Sequence, residues 1–315
     1  MARAIRVTDA VSVAMFEARA SATELAAETW PRTPPESRRP TFLGLLGRLL
    51  LSARAGEEAG VVTRDGGVRG LVVARARAGG LVWDVEHLLT DHLEIGQELL
   101  SWACERALAA RARRVFLDTP DGGRGAEAAR RSRFELYSQG VTYRIPPGFP
   151  RDPADTLPAR PRLRSDDAPL FQLYSTVVPA NVRAVEAMTH EEWAALYPGR
   201  KLWAPAILGT SQDYVWELGT RIAGWMRVVF GQRSQFLDLL LDPSHEGYAD
   251  RMVRWALVQM STKVPVVIDV RDYQGAARAA LERAGFEPHK PYSVWVRQLA
   301  ARVAEPKLAA ARAPA

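Results

Sequence analysis

Cysteine is almost missing from this chain: Cys104 stands alone among 315 residues. One thiol cannot build an intrachain disulfide framework. The apolar spacing around it is that of a helix, so a buried structural thiol is expected rather than a nucleophile. Long apolar runs are missing too. No stretch of about 18 uncharged apolar residues occurs, so no transmembrane helix is expected. The N-terminus carries Glu17 and Glu24 and forms no secretory h-region. The cytoplasm is the expected compartment. The five histidines, His87, His92, His190, His245 and His289, are scattered without ligand spacing, and no metal is expected. Neither a Walker loop nor a Gly-x-Gly-x-x-Gly occurs, and Asp121-Gly122-Gly123 before Arg124 reads as a plain loop. Runs of one charge are also lacking. The net charge of +6 fits an anionic partner. Yet acidic residues are interspersed throughout, and no basic run carries interleaved aromatics. A solvated arginine-rich surface is the reading, and nucleic acid is not an expected partner.

What the chain does have is a statement made twice. Arg6-Val7-Thr8-Asp9-Ala10 returns as Arg164-Ser165-Asp166-Asp167-Ala168, and Gly70-Leu71-Val72-Val73 as Gly224-Trp225-Met226-Arg227. The helix opening Ile95-Gly96-Gln97-Glu98-Leu99-Leu100 returns as Tyr248-Ala249-Asp250-Arg251-Met252-Val253, and Arg133-Phe134 as Gly285-Phe286. The offsets are 158, 154, 153 and 152, an ordered drift that small loop deletions produce and chance does not. Two domains of about 150 residues each suit the length. The boundaries fall at 1–145, a proline-rich linker at 146–162 with six prolines, 163–299, and a frayed tail at 300–315.

Each copy reads as α+β, a mixed and mostly antiparallel sheet flanked by helices. In the first copy, helices at 8–30 and 40–54 flank a loop at Thr33-Pro34-Pro35-Glu36. A hairpin turns on Asp65-Gly66-Gly67 between residues 60–64 and 68–77. A strand at 81–89, a helix at 95–110, a strand at 114–117 and a helix at 125–131 follow, then a closing pair of strand segments over 135–145. The second copy repeats the order: helices at 166–178 and 189–197, strands at 213–218, 221–230 and 235–241, a helix at 247–261, a strand at 265–270, a helix at 274–284 and a strand at 291–298.

The strand-to-helix junction Leu241-Asp242-Pro243-Ser244-His245-Glu246-Gly247-Tyr248-Ala249-Asp250 carries the most chemistry. A helix N-terminus leaves amides unpaired and a partial positive charge, which together suit an anion. Small residues at 247 and 249 let a diphosphate approach the backbone. At this point the chain resembles the GNAT acyltransferase superfamily, which carries Gln/Arg-x-x-Gly-x-Gly/Ala after a strand ending in a hydrophobic-x-Pro step. Ser244 stands at the Gln/Arg position, Gly247 and Ala249 at the small positions, and Leu241-Asp242-Pro243 at the strand end. The late helix closing on Gly285-Phe286 and the Arg164 to Asp167 start also match. The resemblance covers residues 5–145 and 163–298.

The resemblance implies two tandem GNAT-like domains and transfer of an acetyl group from acetyl-CoA to an amine of a small-molecule or peptide acceptor. It implies a coenzyme lying where strand 235–241 diverges from strand 221–230, with its diphosphate on the backbone of Glu246, Gly247, Tyr248, Ala249 and Asp250. A donor near Leu241 would polarise the thioester carbonyl. An alkylamine has a pKa of about 10.4 and needs a base. Glu217 and Asp238 are the candidates on the strands, with His245 on the turn. The family's tyrosine acid is replaced by Leu281, and by Ala129 in the first copy; Tyr273 and Tyr292 are the nearby phenols. Arg183 and Glu186 are expected either to select an acceptor or to form a surface ion pair. The first copy has Asp91-His92-Leu93-Glu94-Ile95-Gly96 at its junction, where the Glu94 carboxylate repels a diphosphate, so that copy reads as degenerate. The contrasting expectation is a non-catalytic sensor or scaffold that retains the duplicated fold. A monomer and a homodimer both fit.

Overall fold

The computed structural model describes residues 1–23, 57–77, 80–152, 157–186, 189–191, 193, 210–231 and 233–299. The loop expected at 33–36, the helix at 40–54 and most of the helix at 189–197 lie outside these. The elements of the first half are β1 (Arg3–Ala4), α1 (Ala10–Thr23), β2 (Glu57–Arg64), β3 (Gly67–Ala76), β4 (Val82–Thr90), α2 (Leu93–Ala109), β5 (Arg114–Pro120), α3 (Arg124–Arg131) and β6 (Glu135–Ile145). Those of the second are β7 (Arg160–Pro161), α4 (Asp167–Val177), α5 (Ala180–Glu186), β8 (Thr210–Leu218), β9 (Arg221–Phe230), β10 (Gln235–Leu241), α6 (Ala249–Gln259), β11 (Val266–Arg271), α7 (Gly275–Arg283) and β12 (Glu287–Gln298). Asp65 and Gly66 turn the β2–β3 hairpin with φ of 51° and 74°, the left-handed pair that a two-residue turn demands. Residues 135–145 form one strand rather than two segments. The short helix α5, opened by Pro179 whose carbonyl accepts from Arg183 N, is one the sequence reading omitted.

The twelve strands of the described residues form one sheet, in the order β1-β2-β3-β4-β5-β12-β6-β11-β10-β9-β8-β7. The order is a palindrome of the two halves with one exchange at its centre. The last strand of the second half, β12, pairs antiparallel with β5 of the first (Val296↔Phe116), while β6 of the first half pairs with β11 of the second (Tyr143↔Ile268). The two exchanged strands also pair with each other along their length, from Glu135↔Val296 to Arg144↔Glu287. A shift of 152 residues carries one of these end pairs onto the other, so a pseudo-twofold axis passes through the β6–β12 ladder.

The halves are built alike on the helix side. Gly70 of β3 lets α2 lie flat on the strand: a Cβ there would stand 2.6 Å from Ile95 and 2.8 Å from Leu99. Gly224 of β9 does the same under Met252 of α6. Trp102 of α2 covers Gly60, and Trp255 of α6 meets Tyr214 edge-on at 4.7 Å. Cys104 is buried in this first-half core, as expected, and burial pushes its thiol up to about 11.

The paired starts correct the repeat by one residue. Arg3 holds Asp9 through bonds of 2.6 and 2.8 Å, and Arg160 holds Asp166 through bonds of 2.8 and 2.9 Å. Asp9 Oδ2 accepts from Arg6 N, and Asp166 Oδ2 from Leu163 N. Asp9 therefore answers to Asp166, not to Asp167. Described parts of the proline-rich segment are bound down: Phe149 and Leu157 are buried in the second-half core, and β7 pairs with β8.

Candidate functional site

The strands that part are not the pair expected. β9 and β10 stay in register over every residue from Gln235↔Phe230 to Leu241↔Gly224. The divergence lies on the other flank of β10. Parallel pairing with β11 stops after Gln235↔Val266, Phe236↔Val267 and Leu237↔Ile268, yet β10 continues to Leu241 and β11 to Arg271. Backbone groups alternate along a strand. Gln235 N donates to Pro265 O on the β11 side, and Asp242 N donates to Ala223 O on the β9 side. Leu239 and Leu241 therefore present their amides and carbonyls to the gap. The Leu241 amide thus faces β11, not the β9 side on which the gap was expected.

The gap opens onto the turn before α6. Here the helix begins later than expected: residues 243–248 form two short 3-10 turns that meet at a kink at His245 (φ −124°, ψ 25°), and α6 starts at Ala249. Asp242 caps the turn by accepting from Ser244 N at 2.8 Å, and its carbonyl accepts from His245 N. Ala249 N donates to Glu246 O, so not every amide between 246 and 250 is open to a ligand. Gly247 is exposed, with nothing within 4 Å of the place a Cβ would occupy. Ala249, by contrast, is buried in the core. Tyr248 lies against Trp216 at 4.7 Å, with Arg251 5.6 Å from its ring centroid. Asp250 is paired with Arg283 of α7 at 2.9 Å.

The carboxylates part company. Glu217 lies at the far end of β8, two strands from the gap, and its side chain is tied to Arg160, which also holds Asp166. It is not brought beside Asp238. Asp238 lies on β10 with its face set by the alternation: Leu237, Leu239 and Leu241 are buried under α6 and α7, and Leu240 packs with Trp225 against α4. Asp238 shares the α4 face, across from Arg227, whose guanidinium is held by Asp213 at 2.6 and 2.8 Å. The residue beside it on β11 is Asp269, one step past the last strand pair and on the same face. Asp269 accepts from Thr142 Oγ1 of β6. The sequence reading missed Asp269, because the signal lies in the β10–β11 register and not in any local pattern.

Glu186 is not the partner of Arg183 in a surface pair. It is 7% exposed and accepts from Tyr137 of β6 at 2.9 Å, from Arg271 of β11 at 3.3 Å and from Tyr174 of α4 at 3.5 Å. Arg271 in turn lies 5.6 Å from the ring of Tyr292. Tyr292, on the exchanged strand β12, is 2% exposed and reaches over Gly140, where a Cβ would stand 2.6 Å from its hydroxyl. Both exchanged strands thus send a phenol toward the end of β11. Leu281, at the position of the family's tyrosine, is fully buried under the sheet. Tyr273 is half-buried beside α4.

The first half has the same divergence with different fittings. β4 and β5 pair from Val82↔Arg114 to Val85↔Leu117 and then part. Its turn is filled by side chains: Arg124 of α3 donates to Asp91 O at 2.9 Å, Arg69 meets the Asp91 carboxylate at 3.1 Å, and Thr90 Oγ1 donates to His92 O at 2.7 Å. Glu94 is exposed at the first small position. Gly96, at the second, is buried against Ala128 of α3. Among the described residues, no His, Cys, Asp and Glu side chains are grouped so as to hold a metal, and no helix is long and apolar enough to cross a membrane.

No family model matches the sequence, and no curated protein matches it. Solved structures do. A tandem GNAT protein from the clavulanic acid biosynthesis pathway, solved without AcCoA, superimposes with a TM-score of 0.57 at 18% identity, over 95% of this chain and 98% of that one. A GCN5-related N-acetyltransferase from Sphaerobacter thermophilus gives 0.59 at 15% identity, over 95% of each chain. The Saccharomyces cerevisiae N-myristoyltransferase with bound myristoyl-CoA gives 0.54 at 11% identity, over 94% of this chain and 82% of that one. The fold is that of tandem GNAT proteins, α+β with a mixed sheet flanked by helices.

Proposed function

We propose that the chain is an acyl-CoA-dependent N-acyltransferase whose coenzyme site is the β10–β11 gap, with acetyl-CoA as donor and a small-molecule or peptide amine as acceptor. The observation that carries this reading is the early end of the β10–β11 ladder. It leaves a slot edged by strand backbone that leads to an exposed glycine at a helix start. A backbone-edged slot suits the amides of a pantetheine arm, and the turn at Glu246, Gly247, Tyr248, Ala249 and Asp250 suits its diphosphate.

In this reading Leu241 N donates to the thioester oxygen as negative charge develops there. Asp238, at the floor of the gap on the α4 face, takes the proton of the acceptor ammonium, directly or through water, before the amine attacks. The tetrahedral intermediate collapses with loss of the CoA thiolate, to which the Tyr292 hydroxyl returns a proton. Glu217 has no part, being held by Arg160. The first half, with Glu94 and a turn crossed by Arg124, shapes the acceptor side through Tyr137 instead of binding coenzyme.

One observation favours a second reading, a sensor that binds acyl-CoA without turnover: the position of the family's acid is the core residue Leu281. Melting with and without acetyl-CoA, together with thiol release across a panel of amines, separates the two. Binding to the folded state alone raises the midpoint, by about 2.7 kcal/mol of stability at a hundredfold excess over Kd. Gly247→Glu is expected to abolish that shift and the thiol release, whereas Glu94→Gln leaves both intact. A shift without thiol release identifies the sensor. No shift in the wild type removes the coenzyme reading.

A further inference from the structure

Past Leu237↔Ile268 the two strands of the gap no longer pair with each other, although β9 and β6 still flank them on the outside, yet one level of the slot is bridged. Gln274, the N-cap residue of α7, extends its carboxamide between them: Nε2 donates to Leu239 O at 3.1 Å, and Oε1 accepts from Arg271 N at 2.9 Å. A carboxamide offers the same donor and acceptor set as a peptide unit. It stands in for the piece of strand that is absent at that level. Leu239 is two residues inside the strand end at Leu241, and a strand rises about 3.3 Å per residue, so roughly 7 Å of free edge lies between the mouth and the bridge.

The first half supplies an internal control. Asp121 N bonds Pro291 O there as Asp272 N bonds Gln139 O in the second half, which puts the two strand-to-helix turns in register. The N-cap residue of α3 in that register is Gly123, which has no side chain to reach across. The bridge is therefore a feature of the second half, and neither the strand divergence nor the start of the helix requires it.

We infer that Gln274 sets the depth of the slot and confines it to thioesters of short acyl groups, of two or three carbons. A short acyl group ends on the mouth side of the carboxamide, while a longer chain has to displace it and leave Leu239 O and Arg271 N without their partner. The inference rests on the acyl-CoA reading above and names the residue that keeps its donor short.

The test is calorimetric titration of the full chain with CoA, acetyl-CoA and octanoyl-CoA. The wild type is expected to bind acetyl-CoA at least tenfold more tightly than octanoyl-CoA. Gln274→Ala is expected to tighten octanoyl-CoA tenfold or more, with acetyl-CoA and CoA changed less than threefold. Gln274→Asn keeps a favoured helix cap but is one methylene too short to span both strands. It is expected to match the alanine variant, and it replaces that variant if alanine lowers the melting point. An unchanged acetyl-to-octanoyl ratio in a folded variant overturns the assignment, as does equal binding of the two by the wild type, with the coenzyme site itself left standing. Binding of none of the three by the wild type overturns the acyl-CoA reading and this inference with it.

Discussion

At the turn between strand and helix, the two halves place small residues at different points, and the difference separates two constraints that one motif combines. The second small position, Gly96 in one half and Ala249 in the other, is buried in both. A Cβ at Gly96 would meet Ala128 at 3.2 Å, so this position serves the packing of neighbouring helices. The first position is exposed in both halves and free to differ: Glu94 in one, Gly247 in the other. Only this position reports on a ligand. A glutamate forced in at Gly96 would therefore test the fold and not the coenzyme.

The comparison can be broken first at the centre of the sheet. Gly140→Val puts a branched side chain where Tyr292 crosses β6, and is expected to cost about 3 kcal/mol. Because β6 and β12 are exchanged, the loss is expected in one cooperative urea transition. Two transitions, one of them unshifted, would mean that the halves stand independently.

The next largest contrast lies in the paired starts. Both Asp9 and Asp166 are held below the usual carboxylate range by the hydrogen bonds of their arginines. Asp166 is the more enclosed, with a side chain 7% exposed against 13% for Asp9. Discounted for the partly exposed arginines, Asp166→Asn is expected to cost about 1.5 kcal/mol and Asp9→Asn about 1 kcal/mol. A depressed folded pKa stabilises fully above the unfolded value near 3.9 and loses that contribution as pH falls through the folded value. Melting points of wild type and Asp166→Asn are thus expected to differ at pH 7 and to converge as pH falls through the depressed folded value of Asp166. A gap that persisted there would assign the effect to packing and not to charge.

The smallest contrast is at the turns themselves. Gly96→Ala is expected to lower stability by about 1 kcal/mol through its contacts with Ala128 and Thr90, while Gly247→Ala, in open space, stays within about 0.5 kcal/mol. Equal losses in chemical denaturation would undo the distinction drawn between the two positions.

Much of the local structure was legible because local chemistry dictates it. Asp65-Gly66 needs left-handed backbone, and the apolar spacing of α2 and α6 returns with the same tryptophan, Trp102 and Trp255. The exchange of β6 and β12 was not legible. Alternation fixes which face a residue occupies but not which strand lies beside it, and either closing strand buries the same faces. The same ignorance of neighbours put the gap beside β9, hid the tie of Glu217 to Arg160 and left unseen that Asp269 lies beside Asp238. Glu186 and Arg183 are three apart on a helix, which suggests a pair, but the partners that bury Glu186 come from β6, β11 and α4.

A twelve-stranded sheet has two rims, and among the described residues both are occupied by the shortest strands, β1 and β7, each two residues long. Each is strapped down by its own arginine–aspartate clasp, and the second ends on Pro161, which has no amide proton to offer. A bare rim invites a foreign strand to dock and seeds aggregation. Here the duplicated N-terminal straps cover the middle of each outer long strand, at Gly60 and Val61 of β2 and at Tyr214 and Val215 of β8, and leave a foreign strand no long uninterrupted edge to dock on.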